Sequence, residues 1–243
     1  MIEVAFRELE RSVYAALETY SNVHRGTGHN SLITTLLYEK GREIVLEYLK
    51  LDKERFIVIF CSPYGLRILN AQLKSAKKFV VSSQDFGLPL GVRALAIERN
   101  ALSKKAPIHT GGGSIELVMS DSVTWMNPPG KFESGTPSII NIIALIKVLQ
   151  AIMHFGTEIF EKQLSEETTA AKILYQDAFS DYAGKELLKK LRKALVGRDI
   201  RVPTIDGEKP YINFDNAAST PTFSPIWEAA CQALRQPESV QQE

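Results

Sequence analysis

The sequence predicts an α/β domain, and three observations predict it. Segments with the spacing of amphipathic helices alternate along the chain with short apolar segments rich in β-branched residues. Turns that contain glycine and proline separate these segments. Hydrophobic residues make up 44% of the 243 residues, enough to build a buried core. Alternation of this kind favours a layered α/β architecture.

The first elements follow from local periodicity. Apolar residues recur every three to four positions from Val4 to Tyr20 and predict an amphipathic helix. Ser31 is predicted to cap a second helix, in which Gly41 is a weak point. The β-rich segments FIVIFC, KFVVSS and VRALAIE then predict buried strands, with a turn at Gly87, Pro89 and Gly91 between the last two.

The next predicted element is apolar, and the elements after it are more polar. The segment from Pro137 to Gly156 predicts a long buried helix after a glycine-rich loop. Charged residues from Leu164 to Val196 are typical of solvated amphipathic helices. Beyond them we predict a turn at Asp206 and Gly207, a short strand YINF, and a helix capped by Ser224 with Pro225 at its first position.

The net charge and the two cysteines indicate which partners and which cellular compartment to expect. The 29 basic and 28 acidic residues leave a formal charge of +1, so we expect neither nucleic acid nor a membrane as a partner. Cys61 and Cys231 lie in apolar segments and are expected to be buried thiols in a reducing compartment. With no signal peptide or spanning segment apparent, a cytoplasmic location is expected. No cluster of residues has metal-ligand spacing, so no metal is expected.

Four motifs resemble those of class V aminotransferases, the group that includes cysteine desulfurases and selenocysteine lyases. The segment YINFDNAASTPTFSPIWEA resembles the opening of that family, and SNVHRGTGHNS resembles its V-H-R-G loop. GREIVLEYL resembles the helix after that loop, and GGGS with TWMNPPGKFESGTPSIINIIAL resembles the segment with the F-E-x-G-T-P turn. The resemblance implies an incomplete three-layer domain of the fold type I class of pyridoxal phosphate (PLP) enzymes, joined to a helical connector.

The motifs stand in an unusual order, because the family's first motif comes last. We interpret residues 1–163 as a shortened class V domain, residues 164–209 as a helical connector, and residues 210–243 as the start of a second copy. Circular permutation is the alternative, but a permutation would preserve the cofactor-binding middle of the family, which this chain lacks. Whether the gene continues past Glu243 is left open.

The resemblance also indicates that the catalytic lysine is missing. Aligning SSQDFGLPLGV with the family's S-G-H-K motif places Gln84 at the histidine and Asp85 at the lysine that forms the Schiff base with PLP. A carboxylate cannot bind the aldehyde covalently, although it could accept a hydrogen bond or act as a weak base. Lys77 and Lys78 precede a strand and are expected to point elsewhere. The resemblance implies PLP as the cofactor, yet binding by this chain is doubtful.

Several residues resemble the family's binding positions. Thr136, with Gly135 and Ser134, matches the loop whose threonine reaches the cofactor phosphate of the partner subunit, although a helix cap is an equal alternative. Asn216 and Ala217 match the loop that borders the cofactor, where turn formation is the alternative. The last candidates, by resemblance to the substrate site, are His24 and Arg25.

Three hypotheses follow for function. The chain is part of a PLP-dependent class V protein, here a degenerate copy that is expected to be inactive alone; or it is a non-catalytic binding or dimerisation module derived from that fold. An enzyme that uses Asp85 as a base is the third hypothesis. The expected partners are a second copy of the chain or further copies of the fold, and a small amino-acid substrate belongs only to a complete protein.

Overall fold

Helices and strands alternate in the computed structural model, which describes residues 2–23, 27–88, 90–102, 106–160, 178–213 and 220–235. The helices are α1 (Ile2–Glu18), α2 (His29–Tyr48), α3 (Pro63–Gln72), α4 (Ile139–Phe155), α5 (Gly184–Ala194) and α6 (Ser224–Leu234). The strands are β1 (Phe56–Cys61), β2 (Lys78–Ser82), β3 (Arg93–Glu98), β4 (Ile115–Val118), β5 (Val123–Trp125), β6 (Arg201–Thr204) and β7 (Gly207–Pro210). The predicted α/β class is confirmed.

The central sheet contains the three strands that the apolar segments predicted. Its order is β1, β3, β2, and both pairs are antiparallel, with Val58 opposite Ala96 in the first pair. Successive side chains of a strand point to opposite faces. Accordingly, Ala94 and Ala96 of β3 belong to one hydrophobic cluster, whereas Leu95 and Ile97 belong to another. The middle strand is therefore buried on both faces.

Helices cover both faces of this sheet. The larger cluster joins the sheet to α1, α2 and α4, with Leu9, Val45 and Leu149 among its buried members. The smaller cluster joins the opposite face to α3 through Leu69 and Leu73. Three layers result, helix on sheet on helix, as the resemblance implied for a shortened domain.

Helix α4 is the buried helix that the apolar segment predicted. It begins just after Pro137 and Ser138 and ends at Gly156, whose φ of 97° and backbone N–H to the Ile152 oxygen (2.8 Å) terminate the helix. Nine of its residues are buried. Its length and apolar character are explained by contacts with α1 on one side and α2 on another.

Gly41 has a packing role that its sequence context did not indicate. A Cβ atom at this position would collide with the Cδ1 atom of Ile146 on α4 and would lie 3.6 Å from the Phe60 ring. The glycine is therefore the point of closest approach between α2 and α4. Its low helix propensity is offset by this packing.

Two predicted helix caps differ from the structure. Helix α2 begins at His29, after Gly28, and the Ser31 hydroxyl instead donates to the Asn22 carbonyl oxygen at 2.8 Å. Ser224 is the first residue of α6 rather than its cap, because Phe223 holds the cap position in an extended conformation. In both cases the serine already belongs to the helix and does not hold the cap position, from which a side-chain oxygen accepts an N–H of the first turn.

The strand predicted at YINF is not found at the described residues of that segment. Residues 211–213 are not in a strand, and Phe214 lies outside the described residues. The preceding residues form a hairpin instead, with Thr204 opposite Gly207 across the predicted turn. Asp-Gly is a preferred turn dipeptide for β-hairpins, which explains why the strands β6 and β7 pair on the two sides of this turn. The segment predicted as a helical connector therefore contains this hairpin as well as α5, and its boundaries remain a prediction.

The C-terminal helix packs against the N-terminal one. The Tyr14 and Trp227 rings lie 6.4 Å apart, and Arg235 forms an ion pair with Glu10 at 2.7 Å and another with Glu3 at 2.8 Å. These contacts connect residues far apart in sequence, so the last described segment docks on the rest of the chain.

Candidate functional site

The turn after β2 holds Asp85, which the motif alignment above predicts at the position of the family's catalytic lysine. Residues Ser83–Phe86 form a short 3-10 helix, and the exposed Asp85 closes a capping box with Ser82. The Asp85 carboxylate accepts the Ser82 backbone N–H at 2.8 Å, while the Ser82 hydroxyl accepts the Gln84 N–H at 3.1 Å. Gly87 follows in the left-handed conformation with a φ of 65°. Position 85 is thus occupied by a side chain that stabilises its own turn.

Gln84, which the same alignment predicts at the position of the family's histidine, is held against the sheet. Its Oε1 atom accepts a hydrogen bond from the Nη2 atom of Arg93, a buried residue at the start of β3. Arg93 also donates from Nη1 to the Val92 carbonyl oxygen at 3.1 Å. Within the described residues, the side-chain hydrogen bonds of Gln84 and Asp85 therefore reach only this turn, β2 and β3.

Neither neighbouring lysine takes over position 85. The Lys78 ammonium donates to the Leu73 carbonyl oxygen at 3.0 Å, and the Lys77 ammonium lies 5.7 Å from the centre of the Phe79 ring. Both contacts agree with the sequence-based expectation that these lysines point elsewhere.

The glycine-rich loop packs against the loop that precedes α4. The Gly135 N–H donates to the Gly112 carbonyl oxygen at 2.8 Å, and Ser134 Oγ lies 2.6 Å from His109 Nδ1. Thr136 is exposed just before α4. The structure therefore brings Ser134, Gly135 and Thr136 together, but the backbone N–H of Gly135 already serves the contact between the two loops.

A buried ion pair anchors this second loop, and sequence reasoning did not single it out. Glu133 Oε1 lies 2.7 Å from Arg42 Nη1 and Oε2 lies 2.8 Å from Arg42 Nη2, with side-chain exposures of 7% and 8%. Oε1 also accepts the Phe60 N–H at 2.6 Å, and Oε2 accepts the Tyr38 hydroxyl at 3.0 Å. A signal was available, because each partner lies in one of the segments that resemble the family.

The pKa values at this cluster follow from burial and from the charges in it. Burial alone would lower the pKa of Arg42, but the charge and hydrogen bonds of Glu133 outweigh it and raise that pKa. Burial, followed by the negative charge of Glu133, holds the pKa of Tyr38 well above its usual range. The Arg42 guanidinium is therefore charged in the folded chain, and the Tyr38 phenol is neutral.

The two cysteines have the character of structural thiols. Burial raises the pKa of Cys61 to about 12, and it does the same for Cys231. A thiol with such a pKa carries almost no thiolate near neutral pH, so neither residue has the chemistry of a nucleophile.

Four of the predicted site residues lie outside the described residues, namely His24, Arg25, Asn216 and Ala217. In the part of the chain that is described, no group of three or more His, Cys, Asp or Glu residues could hold a metal ion. Within that same part, no helix is both long and apolar enough to cross a membrane.

Comparison with known proteins places the chain among relatives of the resembled family. The Aminotransferase class-V family matches residues 70–190. A probable cysteine desulfurase of Staphylococcus aureus (strain Mu50 / ATCC 700699) is 32% identical over 103 residues, which cover 42% of this chain and 25% of that protein. A probable cysteine desulfurase of Halobacterium salinarum is 33% identical over 92 residues, or 38% of this chain and 22% of that protein. The chain thus spans about a quarter of the length of the curated relatives it matches.

Solved structures include the apo cysteine desulfurase of Thermococcus onnurineus NA1, with a TM-score of 0.48 and 17% identity over 63% of this chain and 65% of that one. The cysteine desulfurase CsdA of Escherichia coli gives a TM-score of 0.47 and 14% identity over 64% of this chain and 66% of that one. The class V resemblance is confirmed by the family match. With the three-layer arrangement, it also confirms the prediction of an incomplete domain of the fold type I class.

Proposed function

We propose that this relative of the class V aminotransferases is a degenerate copy of the fold, which forms no Schiff base at position 85 and acts by assembling with a second copy. The observation that supports the first half is the capping box, in which the Asp85 carboxylate accepts the Ser82 N–H. A side chain committed to its own turn contributes to folding rather than to a reacting group.

The described residues do not fit a covalent PLP site. When bound, PLP supplies an aldehyde that a lysine amine captures and a ring that withdraws electrons from the substrate. Asp85 has no amine, Gln84 is paired with Arg93, and the ammonium groups of Lys77 and Lys78 lie on other groups. We therefore propose that this turn forms no covalent bond with PLP.

A weaker anion-binding role fits the loop before α4 better. Thr136 is exposed, and it precedes the N-terminus of α4, where backbone N–H groups favour negative charge. By resemblance, this threonine reaches the cofactor phosphate of the partner subunit. Under this proposal Thr136, with Ser134, would complete the site of another copy rather than a site of its own chain.

Self-association is supported by an exposed apolar surface on the hairpin of β4 and β5. Leu117 is 52% exposed, Val118 64%, Met119 50% and Val123 42%. These side chains lie on both faces of the two-stranded hairpin, and exposed apolar side chains grouped in this way are typical of interaction sites. Helix α4 is more apolar but is largely covered by α1 and α2. The hairpin is the better candidate for the contact with a second copy, in a protein proposed to be cytoplasmic.

Titration with PLP tests the catalytic half of the proposal. We expect no protein-linked absorbance band near ~420 nm, and no cofactor fixed to the chain after borohydride reduction. Peptide mass mapping after reduction identifies any modified lysine. A stoichiometric adduct on one lysine, at Lys77, Lys78 or elsewhere, would contradict the proposal.

Sedimentation velocity over a range of protein concentrations tests the assembly half. We expect a concentration-dependent dimer that the substitution Leu117→Lys shifts to monomer, because a charge in place of an apolar side chain of the hairpin opposes its burial. Ile205→Lys is the matched control, since Ile205 is fully exposed on the β6–β7 turn. A clean monomer of the unmodified chain at high concentration, or equal effects of the two substitutions, would count against this half alone.

A further inference from the structure

Helix α5 concentrates positive charge in a chain that is almost neutral. Its 11 residues contain five Lys or Arg residues and one Glu, a net charge of +4. The whole chain carries +1, so the other residues together carry −3. The cations are Lys185, Lys189, Lys190, Arg192 and Lys193.

The charges and the leucines lie on different sides of this helix. At 3.6 residues per turn, Lys185, Lys189 and Lys193 follow one another along one side, about 6 Å apart along the axis. Leu187 and Leu191 lie on the opposite side, and Leu188 lies at the edge between the two sides. None of the residues of α5 is buried, and Leu188 is 56% exposed. The helix therefore presents a cationic side to solvent, with an exposed leucine at its border.

The cations of α5 form no ion pairs with the described part of the chain. Among the residues that the structure describes, no carboxylate lies within ion-pair distance of the five cations. Lys190 alone has an aromatic neighbour, with its ammonium 4.5 Å from the centre of the Tyr182 ring. The positive charge therefore remains available to an external anionic surface.

We propose that α5 docks on an anionic lipid surface, independently of the function proposed above. A helix with lysines on one side, leucines on the other and low overall hydrophobicity lies in the plane of a membrane interface. Four to eight cations on such a helix recognise anionic headgroups. An acidic protein would use the cations but would leave Leu188 without a role, so the lipid surface accounts for both features. The whole-chain charge had suggested no membrane partner because it averages over this local concentration.

Co-sedimentation with vesicles tests the proposal on the full chain. We expect binding to vesicles of 70% phosphatidylcholine and 30% phosphatidylserine, and none to pure phosphatidylcholine. Each lysine near an anionic surface strengthens binding about fivefold, so Lys185→Gln, Lys189→Gln and Lys193→Gln together should weaken it about 100-fold. Glutamine has a similar helix propensity, so circular dichroism should be unchanged. The matched control replaces the exposed Lys50, Lys53 and Lys74 with glutamine.

A second variant separates lipid from an acidic protein. Leu188→Gln should weaken vesicle binding about fivefold, because less apolar surface enters the interface. Absence of binding to the anionic vesicles, or equal losses in the triple variant and its control, would overturn the proposal. The proposal would also be overturned if Leu188→Gln bound these vesicles normally and a poly-glutamate peptide competed with them for α5. An acidic protein segment would then be the better partner.

Discussion

The buried pair of Arg42 and Glu133 gives a sharp test of how the loop before α4 is held. In Glu133→Gln, one amide oxygen can still accept the Phe60 N–H, but the amide NH₂ group then faces the Arg42 guanidinium, a donor against a donor. Arg42 would remain 8% exposed with its main counter-charge removed, leaving only the half-exposed Glu39. Removing one partner of a buried pair costs about 3–5 kcal/mol.

The loss in the free energy of unfolding can be measured by thermal or urea unfolding. For a chain of this length, about 1 kcal/mol moves the melting temperature by about 2–4 °C, so we expect a fall of roughly 6–20 °C. Glu43→Gln is the matched control, because Glu43 pairs with Lys40 on an exposed surface and its loss should change little. The double variant Arg42→Met, Glu133→Gln should lose less than the sum of the two single losses, since neither charge is then left buried alone.

Two results would refute this reasoning. A loss of less than about 1 kcal/mol in Glu133→Gln would mean that water or rearrangement compensates the Arg42 charge, contrary to the burial of both groups. Strict additivity in the double variant would mean that the two side chains do not interact energetically.

Further predictions concern pH, thiols, packing and the C-terminal helix. Burial raises the pKa of Tyr38 above its ordinary value of 10.0. The neutral phenol therefore contributes to stability below about pH 10, and this contribution is lost as the pH rises further. Urea unfolding should show a lower free energy of unfolding at pH 11 than at pH 8, and the difference should be smaller in Tyr38→Phe. Cys61, with its pKa raised to about 12, should react with a disulfide reagent at pH 8 on the order of 100-fold more slowly than an exposed thiol, and equal rates would contradict this. Gly41→Ala should destabilise the chain by about 1–3 kcal/mol through its collision with Ile146, whereas Gly28→Ala, with open space around it, should not. Arg235→Ala should speed hydrogen exchange throughout α6 while leaving α4 protected, and unchanged exchange would show that the ion pairs with Glu3 and Glu10 do not hold the helix.

Periodicity predicted the first helix, all three strands of the central sheet and α4, because each has a strong local pattern. The position of Pro137 and Gly156 even marked the bounds of α4. Local patterns were weaker guides to caps, since Ser31 donates to a carbonyl nine residues away rather than to its own helix. Nor could they show that Gly41 is required for packing, because the reason lies on another helix. Information of this kind is set by tertiary contacts and is absent from any short window.

The same difference between local and tertiary information applies to the candidate site. The motif comparison pointed to Asp85 and Thr136, which local sequence can mark, but it did not reveal that Glu133 carries four hydrogen bonds across the core. This contrast has a physical reason that bears on function. Replacing the lysine of a solvent-facing turn by Asp85 leaves the fold intact, since the carboxylate finds a backbone partner. Replacing one member of the Arg42–Glu133 pair would leave a buried charge, at a cost comparable to much of a domain's stability. Under the proposed function, position 85 is therefore free to change, whereas position 133 remains constrained by the fold.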